Sequence, residues 1–301
     1  LLQKGTTEDY GQVYGTTLVY SGNFALSVET GEFDDVRVLA GINPSNFDWT
    51  LKPNEIFATP EALHVFAGKG LRSMSHIWHD FIRDKISPER FRHVPRPTYL
   101  NTWEAAYFDV DEDKVLRIAD KAKEISVDMV VLDDGWFEGR NDDTTSLGDW
   151  TADKKRFPSD IPALAAKVKA KGLKFGIWFE PEMVNPKSAL YERHPDWALQ
   201  VPGRKPSLGR NQMTLDLSRE DARDYIFRQM DNILSCGDID YVKWDMNRNM
   251  TELGSQNLSH CYILGLYKLL DKLTNAYPDV LFENCASGGN RFDLGMLSFM
   301  P

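Results

Sequence analysis

From residue 98 onward the chain alternates short apolar runs with amphipathic ones, and each apolar run ends in polar or aromatic residues. The runs at 98–103, 128–133, 173–180, 240–245 and 280–285 read as strands. Between them lie predicted helices. One starts near Asp113 with Val115, Ile118, Ala119, Ala122 and Ile125 in register, and a second spans about 162–171 with Pro162 in its first turn. A third is capped by Ser218 with Asp221 three residues on, buries Ile226, Met230, Ile233 and Leu234, and stops at Gly237. A fourth carries Tyr262, Ile263, Leu266, Leu269, Leu270 and Leu273. Strand–helix repeats with buried strands call for a parallel sheet. Polar groups gathered at successive C-terminal strand ends predict an α/β fold of the (β/α)8 TIM-type barrel kind, incomplete here because only five strands are present. An open doubly wound sheet would carry a Gly-rich turn after its first strand, and Asn101-Thr-Trp-Glu104 is nothing like one.

The N-terminal part has a different rhythm. Short strands are predicted at 17–21, 24–29, 36–40, 47–51, 56–59 and 63–66, separated by Gly, Asn, Asp and Pro, as in part of an antiparallel β-sandwich. An amphipathic helix follows over about 69–85, then three prolines within 87–97. The expected division is sandwich and linking helix over 1–86, linker over 87–97, and catalytic barrel over 98–301. The chain opens without an initiator methionine and closes in mid-pattern, as expected of a segment truncated after its fifth barrel strand.

Composition narrows the function classes. A net charge of −10 argues against nucleic-acid or anionic-membrane partners. No apolar run reaches the roughly 18–20 residues of a membrane span, and the polar opening is not a signal peptide. Cys236, Cys261 and Cys285 have neither disulfide arithmetic nor metal-ligand spacing, so a soluble protein in a reducing, cytoplasmic compartment is expected.

The chemistry centres on Asp240-Tyr-Val-Lys-Trp-Asp-Met-Asn-Arg248. Strand side chains alternate, so Lys243, Asp245 and Asn247 share one face. The neighbouring ammonium would keep Asp245 ionised, as a carboxylate nucleophile requires. Alone, the triplet reads equally well as a salt bridge at a strand end. Trp103, Asp133, Asp134, Trp178, Glu180, Glu182, Glu283, Cys285 and the Gly288-Gly289 turn fall at the other strand ends, and Arg210 comes from a long, irregular crossing over 183–217. Two chemistries fit these groups. Asp133, Glu180, Asp245 and Glu283 could hold a divalent metal, which leaves Trp103, Trp136 and Trp178 without a role. A sugar site uses both kinds of residue: indoles stack on a pyranose, paired carboxylates accept vicinal hydroxyls, and a carboxylate attacks. The tryptophans favour sugar.

Five ordered motifs carry a resemblance. Asn101-Thr-Trp-Glu104, Leu132-Asp-Asp-Gly-Trp136, Gly176-Ile-Trp-Phe-Glu-Pro-Glu-Met183, Lys243-Trp-Asp-Met-Asn247 and Glu283-Asn-Cys-Ala-Ser-Gly-Gly-Asn-Arg-Phe-Asp293 resemble the α-galactosidases of glycoside hydrolase family 36. The resemblance implies retaining hydrolysis of terminal α-linked galactose from melibiose- and raffinose-type sugars, no metal or other cofactor, and a homotetramer. It makes Asp245 the nucleophile and gives Asp133 and Asp134 the O4 and O6 hydroxyls of galactose. Trp178 would flank the sugar and Trp103 line the same pocket. Arg210, Lys243 and Asn247 would bond ring hydroxyls, and Cys285 and Gly288 would pass near O2. The general acid/base of such enzymes lies in a motif expected just beyond Pro301, and Glu283 and Asp293 do not occupy its place, so this segment alone is expected to be inactive. A galactosyl transferase or α-N-acetylgalactosaminidase on the same scaffold is the alternative, and a metal-dependent barrel lyase a more distant one.

Overall fold

The computed structural model describes residues 1–301, which divide into two compact units. The first comprises 1–92 with 255–260 and 292–301, and the second 93–254 with 261–291.

In the first unit β1 (Val13–Val19), β2 (Phe24–Thr30), β3 (Val36–Ile42) and β4 (Glu61–Ala67) form two antiparallel pairs, β1 with β4 and β2 with β3. Helix α1 (Gly70–Phe81) continues into a π-helical turn at Ile82–Ile86. The strands expected at 47–51 and 56–59 do not form. Their alternating aromatics serve a different purpose. Phe47, Trp49 and Phe57 gather round the buried His260 ring at centroid distances of 5.8, 5.7 and 5.5 Å, and Tyr20 Oη lies 2.9 Å from His260 Nδ1. The apolar side chains are thus satisfied by an aromatic cluster rather than by a sheet face.

The second unit is built on a parallel sheet. Its elements are β5 (Tyr99–Asn101), α2 (Trp103–Ala106), α3 (Glu112–Glu124), β6 (Met129–Leu132), α4 (Asp160–Ala170), β7 (Lys174–Phe179), β8 (Met183–Val184), α5 (Ala189–Arg193), β9 (Met213–Thr214), α6 (Glu220–Leu234), β10 (Tyr241–Trp244), α7 (Leu258–Ala276) and β11 (Leu281–Asn284). The first residues of α7 fall in the other unit, as does the short α8 (Leu294–Leu297). The sheet order is β11-β10-β7-β6-β5, and every adjacent pair is parallel. Strand order follows chain order without reversal. That is the one-way winding of a (β/α)8-type barrel, whereas a doubly wound sheet reverses. The fold is therefore part of an α/β barrel preceded by antiparallel sandwich-type strands.

Burial explains why these segments are strands and helices. Met129, Val130, Val131 and Leu132 are wholly buried, which a parallel strand covered on both faces demands. Helix α3 turns Val115, Ala119 and Ala122 inward, and Asp111 caps it by accepting from the Lys114 N–H at 2.7 Å. Ile125 lies just past the helix end and is exposed, so it does not share that face. Gly176 sits where an added Cβ would meet the Tyr241 ring at 2.9 Å and Val131 at 3.1 Å. Its missing side chain lets the tyrosine lie across β7.

Three further expectations are corrected. Ser218 does not cap α6: its N–H and hydroxyl both go to Asp216, at 3.0 and 2.6 Å, and Arg219 takes the cap position. The 183–217 crossing is not wholly irregular, since it holds α5 and the antiparallel pair β8–β9. Trp103 does not end a strand, because β5 stops at Asn101 and Trp103 opens α2. No helix is long and apolar enough to cross a membrane.

Candidate active site

The C-terminal ends of β6, β7, β10 and β11 bring one buried polar cluster together around Asp245. Its backbone N–H donates to Phe179 O at 2.8 Å, which registers it against the end of β7. The Trp178 indole N–H and the Asn247 amide donate to Oδ2 at 3.1 and 2.8 Å, while the Met246 N–H donates to Oδ1 at 2.9 Å. Burial works to raise the Asp245 carboxyl. The donors Trp178, Asn247 and Cys285 and the Lys243 charge outweigh it and hold the carboxyl below its ordinary value. Asp245 is thus a desolvated carboxylate kept ionised, the state in which a carboxylate attacks.

Lys243 donates to Asp133 Oδ2 at 2.8 Å, and the same oxygen accepts from the Asn101 amide. Burial works against the ammonium, but Asp133 and the charge of Asp245 keep its pKa above the usual value. The Asp133 N–H is satisfied by Thr102 Oγ1 at 2.9 Å, while Asn101 of β5 and Lys243 of β10 hold the carboxylate between them. Asp134 is held differently. Arg140 grips it with two parallel bonds, Nε to Oδ1 at 2.9 Å and Nη2 to Oδ2 at 2.8 Å. The Arg140 guanidinium also donates to Asn185 Oδ1 and lies between the rings of Phe108 and Phe137.

Cys285 is a free thiol beside Asp245. Burial, reinforced by the Asp245 charge, pushes it up to about 11, so it stays protonated and donates to that carboxylate. The following turn adds Ser287, whose hydroxyl donates to Asn247 Oδ1 at 2.8 Å. Gly288 takes a φ of +99°, a conformation glycine adopts without strain, and its carbonyl accepts from the Ala286 N–H at 2.8 Å to close the turn.

Two expected members lie outside this hydrogen-bonded group. Trp103 is half-buried and packs edge-on against Tyr107 and Phe108. Arg210 is exposed at the tip of a tight turn in which it and Asn211 both have positive φ, 50° and 61°, and the Gln212 N–H returns to Gly209 O at 3.1 Å. Trp178 is itself buried, parallel to Phe137 at 6.5 Å, with its indole N–H committed to Asp245.

Other strand-end acids have structural partners. Glu182 is fully buried and accepts from Trp244 Nε1 and Tyr262 Oη while pairing with Arg291 at 2.8 Å. Glu283 accepts from Tyr99 and Tyr241 hydroxyls. Asp293 caps α8 through the Met296 N–H. No group of three or more His, Cys, Asp or Glu side chains converges as metal ligands do, and Asp133 and Asp134 already meet a lysine and an arginine. Arg140, Asn185 and Gln212 take part without any signal in the sequence, because turn-rich loops carry no periodicity from which a side chain's direction could be read.

A one-way parallel sheet with its polar groups past the C-terminal strand ends places this chain among (β/α)-barrel proteins with a carboxylate-centred site. The melibiase family model matches residues 56–301, and the glycosyl hydrolase family 36 N-terminal domain matches residues 1–52. The chain belongs to the melibiase family. It is 48% identical over its whole length to alpha-galactosidase AgaA of Geobacillus stearothermophilus and to alpha-galactosidase 1 of Pediococcus pentosaceus, and spans 42% of the length of each. The crystal structure of AgaA superimposes on all of this chain with a TM-score of 0.97, the chain covering 43% of it.

Proposed function

We propose that the protein is a retaining α-galactosidase in which Asp245 attacks the anomeric carbon and carries the galactosyl group as a covalent intermediate. The observation behind this reading is the state of Asp245: buried, ionised and held by donors at the end of a barrel strand. Retaining hydrolysis needs such a carboxylate and a second carboxyl group about 5–5.5 Å away. We assign that second group to residues beyond Pro301. Its neighbours here are engaged: Asp133 by Lys243, Asp134 by Arg140, and Glu180 by the Asn247 N–H and the Gln212 amide. Asp133, Asp134, Trp103, Arg210, Lys243 and Asn247 are proposed to receive the galactose hydroxyls and ring, with Trp178, Cys285 and Gly288 shaping the wall behind it. AgaA variants have been crystallised with raffinose and with stachyose, which supports an oligosaccharide carrying terminal α-galactose as the substrate. The same reading includes a sandwich segment to residue 86, a linker over 87–97 and a barrel from 98, a homotetramer, and a cytoplasmic setting supported by the free thiols.

The test is mechanism-based labelling of the full-length protein with a fluorinated α-galactosyl fluoride, followed by digestion and mass spectrometry. Label on Asp245 is the expected result. A folded protein that takes no label and cleaves no α-galactoside would overturn the assignment.

A further inference from the structure

Linked to Asp245 through Asn247 lies a second buried carboxyl group. Glu180 follows β7 and is 2% exposed. Its Oε1 accepts from the Asn247 backbone N–H and from Gln212 Nε2, the latter at 3.1 Å. Asn247 in turn donates its side-chain amide to Asp245, so Glu180 anchors the turn that carries one of the nucleophile's own donors.

The charges facing Glu180 leave it without a counter-ion. From the end of β10 comes Asp245, and from the end of β6 comes Asp134, whose charge goes to Arg140. Lys243 is spent on Asp133. Arg248 is directed to the carbonyl oxygens of Ser207 and Gln212 and to Glu252. The loop contributes Gln212, 3% exposed, whose Oε1 is buried without any donor. An ionised carboxylate brings no donor to such a group, whereas a carboxylic acid brings one. Burial, with the charge of Asp245 added, raises Glu180 to about 8. A raised carboxyl beside a carboxylate nucleophile has the profile of a general acid, but the Oε1 of this one is already committed to the Asn247 N–H and the Gln212 amide, which gives it a place in the framework of the site.

We infer that Glu180 is a positioning residue that works as a neutral acid: protonated, it fixes Asn247 and the turn after β10, and its ionisation sets Asp245 against a second buried negative charge and switches the nucleophile off. This rests on Asp245 being the nucleophile. It adds an alkaline limb to activity that belongs to neither the nucleophile nor the acid/base.

The experiment compares the full-length wild type with Glu180→Gln and Glu180→Ala. The rate of labelling by a fluorinated α-galactosyl fluoride is followed from pH 6 to pH 9, because a fluoride leaving group needs little help from a general acid. With an ionisation near 8, wild-type labelling falls about tenfold from pH 7 to 9, while Glu180→Gln, permanently neutral, stays level, so their ratio rises about tenfold. Glu180→Ala lacks the acceptor for Asn247 and is slow at every pH. Melting temperature gives a readout free of activity. A carboxyl raised from 4.5 to about 8 lends the fold stability that is whole below 4.5 and is lost as pH climbs through about 8. Wild type should therefore lose ground to Glu180→Gln across that window. Label on Asp245 with parallel profiles, or a melting difference that ignores pH, overturns this inference alone. No label in any of the proteins overturns the nucleophile assignment and this inference with it.

Discussion

The β2–β3 hairpin and the parallel sheet use similar residues to opposite effect. In the hairpin Phe24, Leu26, Val28, Val36 and Leu39 are between 43% and 57% exposed, while Met129, Val130, Val131 and Leu132 in β6 are 0% exposed. A strand pair that keeps solvent on its side chains tolerates exchange along its length. A strand sealed on both faces tolerates almost none, and in the parallel sheet polar groups collect where strands end and loops begin. Rigidity and chemistry are thus adjacent: the sealed strands fix the backbone positions from which Asp133, Asp245 and Cys285 project.

That contrast can be broken by experiment, with activity followed on the full-length protein and stability on residues 1–301. The largest effect is expected from Asp245→Asn, with α-galactoside turnover down by about four orders of magnitude while the protein stays folded. Next comes Ile177→Ala in β7, a deletion at a position with no exposure, which is expected to cost about 2–5 kcal/mol in urea unfolding. Trp178→Phe keeps an aromatic side chain but removes the pyrrole half of the buried indole, and with it the N–H that reaches Asp245. Losing a charge-assisted bond of about 1.5–3 kcal/mol should slow labelling about ten- to a hundredfold. The sign of its pH effect follows from the depressed Asp245 carboxyl. The stability that carboxylate lends is present above 3.8 and lost as pH falls through the lower folded value, so removing a donor shifts the acid limb of activity upward. The smallest effect belongs to Val28→Ala in the hairpin, about 0.5 kcal/mol or less in urea unfolding of residues 1–301, where that side chain is 49% exposed. Equal costs for Ile177→Ala and Val28→Ala would abolish the comparison.

The parallel sheet was legible in the sequence because strands buried on both faces leave unbroken apolar runs such as Met129–Leu132. The gathering of Lys243, Asp245 and Asn247 followed from the two-residue strand period. The aromatics at 47, 49 and 57 misled for a physical reason: alternation that suits a sheet face also suits residues taking turns against a single buried ring, here His260. The Arg140 grip on Asp134 spans six positions within a turn-rich run, and the Gln212 contact with Glu180 spans 32. Neither separation corresponds to any periodicity, so only folded geometry reveals them.

The chain-ordered sheet has a consequence for how the protein is made. Asp133 and the lysine that neutralises it are 110 residues apart, on the second and fourth strands of the sheet. During synthesis the carboxylate is finished long before its ammonium, and β7 must take its place between them first. The early strands can pair as neighbours emerge, at small loop-closure cost, yet the electrostatic heart of the site stays unmatched until β10 docks. Assembly of the scaffold is gradual, and the charge balance of Asp133 waits for one late strand.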